Sequence, residues 1–144
     1  MRGYLKVAGL ALFVLAFFLQ AVTLKGSGPG SGAISGWVCA LVAIIATGGI
    51  FKTGMQTLDA QIVFLALSGL VNPLVLIYLG FSFRERFARL RAGLAIAISA
   101  CLASTWVFFC LAKYLPREGH VLWVLGIGLI LGAGTTLRRT ASAQ

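Results

Sequence analysis

The chain has 144 residues, of which 60% are apolar and 10% carry a formal charge. A soluble domain typically has about a quarter of its residues charged, so this composition excludes a soluble domain and predicts that much of the surface faces lipid. The net charge of +9 would suggest nucleic acid in a soluble protein. Here the basic residues lie between long apolar runs, as they do at the edges of a bilayer, and we expect no nucleic-acid partner.

The first apolar stretch, residues 7–24, contains no charged residue and is just long enough to cross a hydrocarbon core of about 30 Å. Arg2 and Lys6 precede it, as basic residues precede a signal peptide. The stretch is longer than the usual apolar region of such a peptide and lacks a small-x-small cleavage site, so we interpret it as a membrane helix. Residues 25–32, rich in Gly and Ser, are predicted to form a flexible loop.

Four further apolar stretches follow in a single transmembrane domain, residues 1–144. The second, residues 33–51, is interrupted by glycines and either spans the membrane or forms a re-entrant or interfacial segment. The third covers residues 60–83. The fourth and fifth, residues 94–115 and 121–137, are separated by so short a turn that they predict a C-terminal helical hairpin. The fold class is therefore all-α, with four to five transmembrane helices.

The basic residues predict the orientation of the chain. A basic loop at residues 84–91 and the C-terminal tail are expected in the cytoplasm, by the positive-inside tendency, most simply at a bacterial cytoplasmic membrane. If residues 33–51 do not cross the membrane, the N-terminus with Arg2 and Lys6 also lies in the cytoplasm. If residues 33–51 do cross it, the N-terminus lies outside. The arginines of the loop are predicted to bind anionic lipid headgroups at about 1 kcal/mol each. They are Arg84, Arg86, Arg89 and Arg91.

Asn72 and Pro73 lie near the middle of the third stretch. Proline removes a backbone hydrogen bond and predicts a helix kink, and an asparagine in hydrocarbon requires a partner. Asn72 could bond a neighbouring helix or a freed carbonyl, or it could be a polar point on a pathway. Ser68 and Gly69, which would admit another helix closely, favour packing.

The fifth stretch contains Gly128-x-x-x-Gly132, a pair of small residues that permits close approach of two helices. One interpretation places this pair against the fourth stretch, where Ala95, Ser99 and Ala103 recur at a spacing of four. The alternative is that the glycine face forms a homodimer. The pattern leaves both open.

Asp59, Glu118 and His120 fall on the external side in both favoured topologies. They could gather into a site for a metal or a proton, or remain solvated loop residues. Two carboxylates and one histidine from separate loops are weak evidence for a metal. We expect no cofactor.

The sequence contains none of the catalytic motifs that we considered. There is no serine-histidine arrangement, HExxH or DxD motif, and Cys39, Cys101 and Cys110 form no CxxC pair. Small multidrug transporters are similar in size and helix count, but they need a carboxylate in the first helix, where this chain has none. The sequence favours a non-catalytic accessory or assembly subunit of a membrane complex, or another small bacterial membrane protein. The alternative is a homo-oligomeric channel or transporter with a polar path near Asn72.

Overall fold

The computed structural model describes residues 2–24, 32–53, 59–82 and 87–135. The predicted helical class is confirmed, and the described residues form five helices, the third in two segments. A small antiparallel sheet, in the order β2-β1-β3, was not predicted. The elements are α1 Arg2–Phe18, β1 Gln20–Leu24, β2 Ala33–Ser35, α2 Gly36–Thr53, α3 Ala60–Gly69, α4 Val71–Phe81, α5 Ala88–Ala112, β3 Tyr114–Pro116 and α6 Glu118–Thr135.

The third helix is interrupted at Leu70, between α3 and α4. The N–H of Leu70 donates to the carbonyl of Leu67 at 3.2 Å, a tighter turn than that of an α-helix. Pro73 has no N–H to offer the carbonyl of Gly69, one turn earlier. The interruption predicted from Asn72 and Pro73 is therefore present, and it lies about one turn before the proline.

The prediction of a continuous helix over residues 7–24 is wrong at its C-terminal end. Helix α1 ends at Phe18, and β1 pairs with β2 on one side and β3 on the other. Val22 lies opposite both Ile34 and Pro116. These partners are distant in sequence, so apolarity alone could not distinguish a strand from one more helical turn. Pro116 lacks an N–H but is tolerated because β3 is an edge strand.

The predicted stretch at residues 33–51 also begins as a strand, and α2 starts only at Gly36. Of the predicted flexible loop, residues 25–32, only Gly32 lies within the described residues. Its φ of 80° is in the left-handed region that glycine adopts without strain. The connection between α5 and α6 likewise contains the strand β3 rather than a bare turn.

Helices α1 and α6 make the most extensive helix contact in the described part of the chain, and their backbones lie close together. A Cβ placed on Gly126 of α6 would lie 2.7 Å from the backbone nitrogen of Phe13 and 2.8 Å from the carbonyl oxygen of Gly9. Glycine at both positions allows the two backbones to touch. The core beside this contact joins α1, α4, α5 and α6 through Phe13, Val71, Val75, Tyr78, Ile98, Cys101, Ile127 and Ile130.

The predicted packing of Gly128 and Gly132 against the preceding helix is wrong. A Cβ added at either glycine would meet nothing within 4 Å, and Ser99 and Ala103 of α5 are exposed. The two helices turn other faces inward. The buried positions of α5 are Ile98, Cys101, Thr105 and Phe109, and those of α6 include Gly126, Ile127, Ile130 and Ala133.

Two helices are long and apolar enough to cross a membrane. One is the interrupted helix Ala60–Phe81, and the other is α5, Ala88–Ala112. Among the described residues, the remaining apolar helical runs are shorter: Tyr4–Phe18, Gly36–Gly49 and Glu118–Ala133.

Candidate functional site

A cavity of about 220 Å³ lies where the end of α1 meets β1 and the starts of α2 and α6. Side chains from α3 and α5 complete its wall. Most of the lining is apolar, and aromatic rings from α1, α5, β3 and α6 contribute to it. These rings belong to Phe17, Phe108, Phe109, Tyr114 and Trp123.

Two glycines hold α2 and α6 tightly against the end of α1 and so close one side of the cavity. A Cβ on Gly119 would lie 2.8 Å from the carbonyl oxygen of Gln20, and a Cβ on Gly36 would lie 2.9 Å from the Cα of Phe17. The N–H of Gly36 also donates to the carbonyl of Leu19 at 2.9 Å. Larger residues would push the two helices away from α1.

His120 is the most unusual polar residue of the cavity wall. It is 5% exposed, and its imidazole is surrounded by aromatic rings. Ring centroids lie 4.7 Å away for Phe109, 5.3 Å for Trp106 and 5.4 Å for Trp123. Its Nε2 is shielded from solvent and has no hydrogen-bond partner in the described part of the chain. An unpaired buried nitrogen of this kind is uncommon and costs stability.

Burial lowers the pKa of His120 to about 4, because removing water penalises the charged imidazolium. Because this pKa lies well below 7, the ring is uncharged at neutral pH. In the sequence, His120 lies just before the apolar run at residues 121–137. The interpretation of His120 as a solvated external residue is wrong, because α6 begins at Glu118 and its first turn directs His120 into the aromatic cage.

Asp59 and Glu118 do not gather around His120. Asp59 caps α3, and its carboxylate accepts from the N–H of Gln61 at 3.2 Å. Glu118 is exposed in the first turn of α6, where the helix dipole stabilises a negative charge. No group of three potential metal ligands occurs within residues 2–24, 32–53, 59–82 and 87–135.

Asn72 bonds a neighbouring helix, which is one of the two roles considered for it. Its Oδ1 accepts from Nε1 of Trp123, in α6, at 3.0 Å. The same asparagine borders the cavity. The bond ties the start of α4 to α6, so the described geometry favours packing over an open polar path. Trp123 was not singled out from the sequence, because tryptophan in an apolar run is typical of membrane segments generally.

The predicted basic loop is partly helical. Helix α5 begins at Ala88, so Arg89 and Arg91 lie in its first turn. Arg89 is exposed, and Nη1 of Arg91 is 3.4 Å from the carbonyl oxygen of Ser82, to which it donates. Arg84 and Arg86 lie outside the described residues.

Gly69 admits another helix closely, as the sequence suggested. A Cβ on Gly69 would lie 2.5 Å from the carbonyl oxygen of Ala43 in α2. The hydroxyl of Thr47 bridges the two helices, because it lies 2.9 Å from the carbonyl oxygen of Ala66. This contact places α2 beside α3 and so fixes the wall of the cavity that α2 supplies.

No family model, no curated protein and no solved structure matches this chain.

Proposed function

We propose that this protein is a small polytopic membrane protein that acts without catalysis, as an accessory or assembly subunit of a membrane complex. The observation that carries the membrane assignment is that large apolar side chains are exposed on each of the five described helices. A helix that is apolar all round is buried in protein or in lipid. Large apolar residues exposed by at least 45% include Val14, Ile45, Leu76, Ile96 and Leu125, one from each of five helices.

The helix lengths support this assignment. At 1.5 Å per residue, the 25 residues of α5 extend about 37 Å, and the hydrocarbon core is about 30 Å thick. The 22 residues of the interrupted helix Ala60–Phe81 extend about 33 Å. Both are long enough to cross, and the shorter helices α1, α2 and α6 pack with them into one bundle.

We further propose that the start of α5 faces the cytoplasm of a bacterial cell and that its far end faces outward. Arg89 and Arg91 lie at the first end, where anionic headgroups would bind them. Arg117 and Glu118 lie beyond the other end. The start of α3 is at this second end, because Nε2 of Gln61 is 3.4 Å from the carbonyl oxygen of Leu111.

Labelling of single cysteines tests this orientation. Arg89→Cys and Arg117→Cys are a matched pair, because both arginines are exposed and lie at opposite ends of α5. In a background without the three native cysteines, we expect a membrane-impermeant maleimide to label Arg117→Cys on intact spheroplasts. It should label Arg89→Cys only after the membrane is opened. Labelling of both on intact spheroplasts would contradict a membrane-crossing α5, and the reverse pattern would invert the orientation.

The accessory role rests on the surface that the bundle offers to other membrane helices. Helix α6 packs its Gly126 side against α1, whereas a Cβ added at Gly128 would meet nothing within 4 Å. A small residue on an apolar exposed face permits a partner helix to approach closely. The alternative, a homo-oligomeric channel or transporter, would use the same surface between copies and a polar path near Asn72.

Native mass spectrometry of the protein, gently extracted from its own cells, separates these roles. We expect the tagged chain in the carbonate-washed membrane fraction, in complex with a stoichiometric foreign subunit. A pure homo-oligomer would overturn the accessory role and favour the channel. Recovery of the chain in the soluble fraction would overturn the membrane assignment itself.

A further inference from the structure

We propose that the cavity beside His120 binds a small aromatic alcohol, with the hydroxyl of the ligand hydrogen-bonded to the imidazole. This inference does not depend on the proposed accessory role. It rests on the size of the cavity, on the aromatic rings of its wall and on the unpaired nitrogen of the only histidine in the chain.

The cavity is partly open, and its volume indicates the size of the group that it can hold. An apolar cavity of about 150 Å³ in another protein stays dry and binds benzene. The present cavity, at about 220 Å³, therefore has room for a benzene ring with one or two small substituents. The walls suit a flat ring, because Phe17, Phe108 and Tyr114 offer edges and faces for aromatic contacts.

Within the described part of the chain, His120 is the wall residue whose buried side-chain polar atom has no partner, and it can take one hydroxyl of a ligand. The hydroxyl of Thr105 already donates to the carbonyl of Cys101 at 3.1 Å, and Oδ1 of Asn72 already accepts from Trp123. His120, whose ring lines the cavity, retains an unpaired nitrogen. A neutral imidazole has one donor and one acceptor nitrogen, and a hydroxyl can pair with either. Because Nε2 is shielded from solvent in this structure, the bond requires the ring to turn this nitrogen towards the cavity.

No charged side chain lines the cavity, so an anionic or cationic ligand would enter without a partner. A purely apolar ligand would fill the space but leave the imidazole nitrogen unpaired. An aromatic alcohol satisfies both the apolar wall and the imidazole, and for this reason we favour it over a hydrocarbon or an ion.

The probes p-cresol and p-xylene test the proposal, because they have the same shape and differ only in a hydroxyl for a methyl group. Calorimetry with the full-length protein in detergent micelles should show that p-cresol binds about tenfold more tightly than p-xylene, the increment of one buried hydrogen bond. In His120→Phe, which keeps a ring in the cage, we expect the two affinities to agree within about twofold. Equal affinities in the unchanged protein would overturn the role of His120.

A variant in which a larger side chain fills the cavity controls for uptake of the probes by the detergent micelle. Ala40 lines the cavity and is half-buried, so Ala40→Leu should weaken both probes at least tenfold. Uptake unaffected by Ala40→Leu would show that the probes enter the micelle rather than the protein, and would overturn the site.

An independent measurement remains available if a variant fails to fold. Because His120 is the only histidine, ¹⁵N-labelled histidine gives a single imidazole signal pair in the unchanged protein. We expect saturating p-cresol to shift these signals and p-xylene to shift them much less. The absence of a shift with p-cresol would exclude the hydrogen bond.

Discussion

Replacing Gly126 by alanine is expected to lower the free energy of unfolding by about 1–3 kcal/mol, the usual cost of forcing extra atoms into a packed site. The added Cβ would lie 2.7 Å from the backbone nitrogen of Phe13 and 2.8 Å from the carbonyl oxygen of Gly9. Both are backbone atoms and cannot rotate away. Helix α6 would have to move off α1, which thermal unfolding in detergent would report as a lower midpoint temperature.

Gly128→Ala is the matched control, because it makes the same change on the same helix two residues later. A Cβ there meets nothing within 4 Å, and alanine has the higher helix propensity, so stability should be unchanged or rise by up to about 1 kcal/mol. If both variants lose the same stability, the contact face assigned to α6 is wrong. Both should be measured at a detergent ratio that keeps the protein monomeric.

The stability of the protein is expected to fall as the pH is lowered from about 6.5 to about 4, because His120 is buried in its neutral form. Its pKa is about 4 in the folded chain and 6.5 in an ordinary setting. Between these values the unfolded chain binds the extra proton and is favoured. The full contribution, of the order of 3 kcal/mol at 1.36 kcal/mol per pKa unit, is present above pH 6.5 and is lost progressively towards pH 4.

His120→Phe should remove this pH dependence while keeping the cage filled. The two proteins differ at this residue alone, so the difference between their stability curves isolates the histidine. The rings that contact His120 belong to Trp106, Phe109 and Trp123, and none of these side chains carries a group that ionises in this range. Parallel curves for the two proteins between pH 4 and 7 would show that His120 is not buried as described.

The helices and the interruption of the third one could be predicted because they depend on local features. A run of apolar residues sets the position of a helix, and Pro73 breaks it through its own missing N–H. The sheet could not be predicted, because β1 is stabilised by strands about 10 and 90 residues away. A five-residue apolar segment such as Gln20–Leu24 is compatible with either structure until its partners are known.

The candidate site was only partly predictable for a similar reason. Asn72 could be recognised because a polar residue in an apolar run requires a partner, but its partner Trp123 could not. His120 was assigned to a solvated turn, since the sequence places it beside Pro116 and Glu118. Its burial depends on where α6 begins and on which rings α5 presents to it. The choice between Gly126 and Gly128 as the contact glycine likewise depends on a helix rotation that spacing does not determine.

The sheet and the contact of α1 with α6 impose an order on the synthesis of this chain. Helix α1 is made long before α6, with which it has its most extensive contact, and β1 gains its second partner only when residues 114–116 have been made. Until then the Gly9 face of α1 and one edge of β1 have no protein to cover them. The described bundle is thus closed by β3 and α6, and a chain truncated before residue 114 would lack the partners of α1 and of one edge of β1.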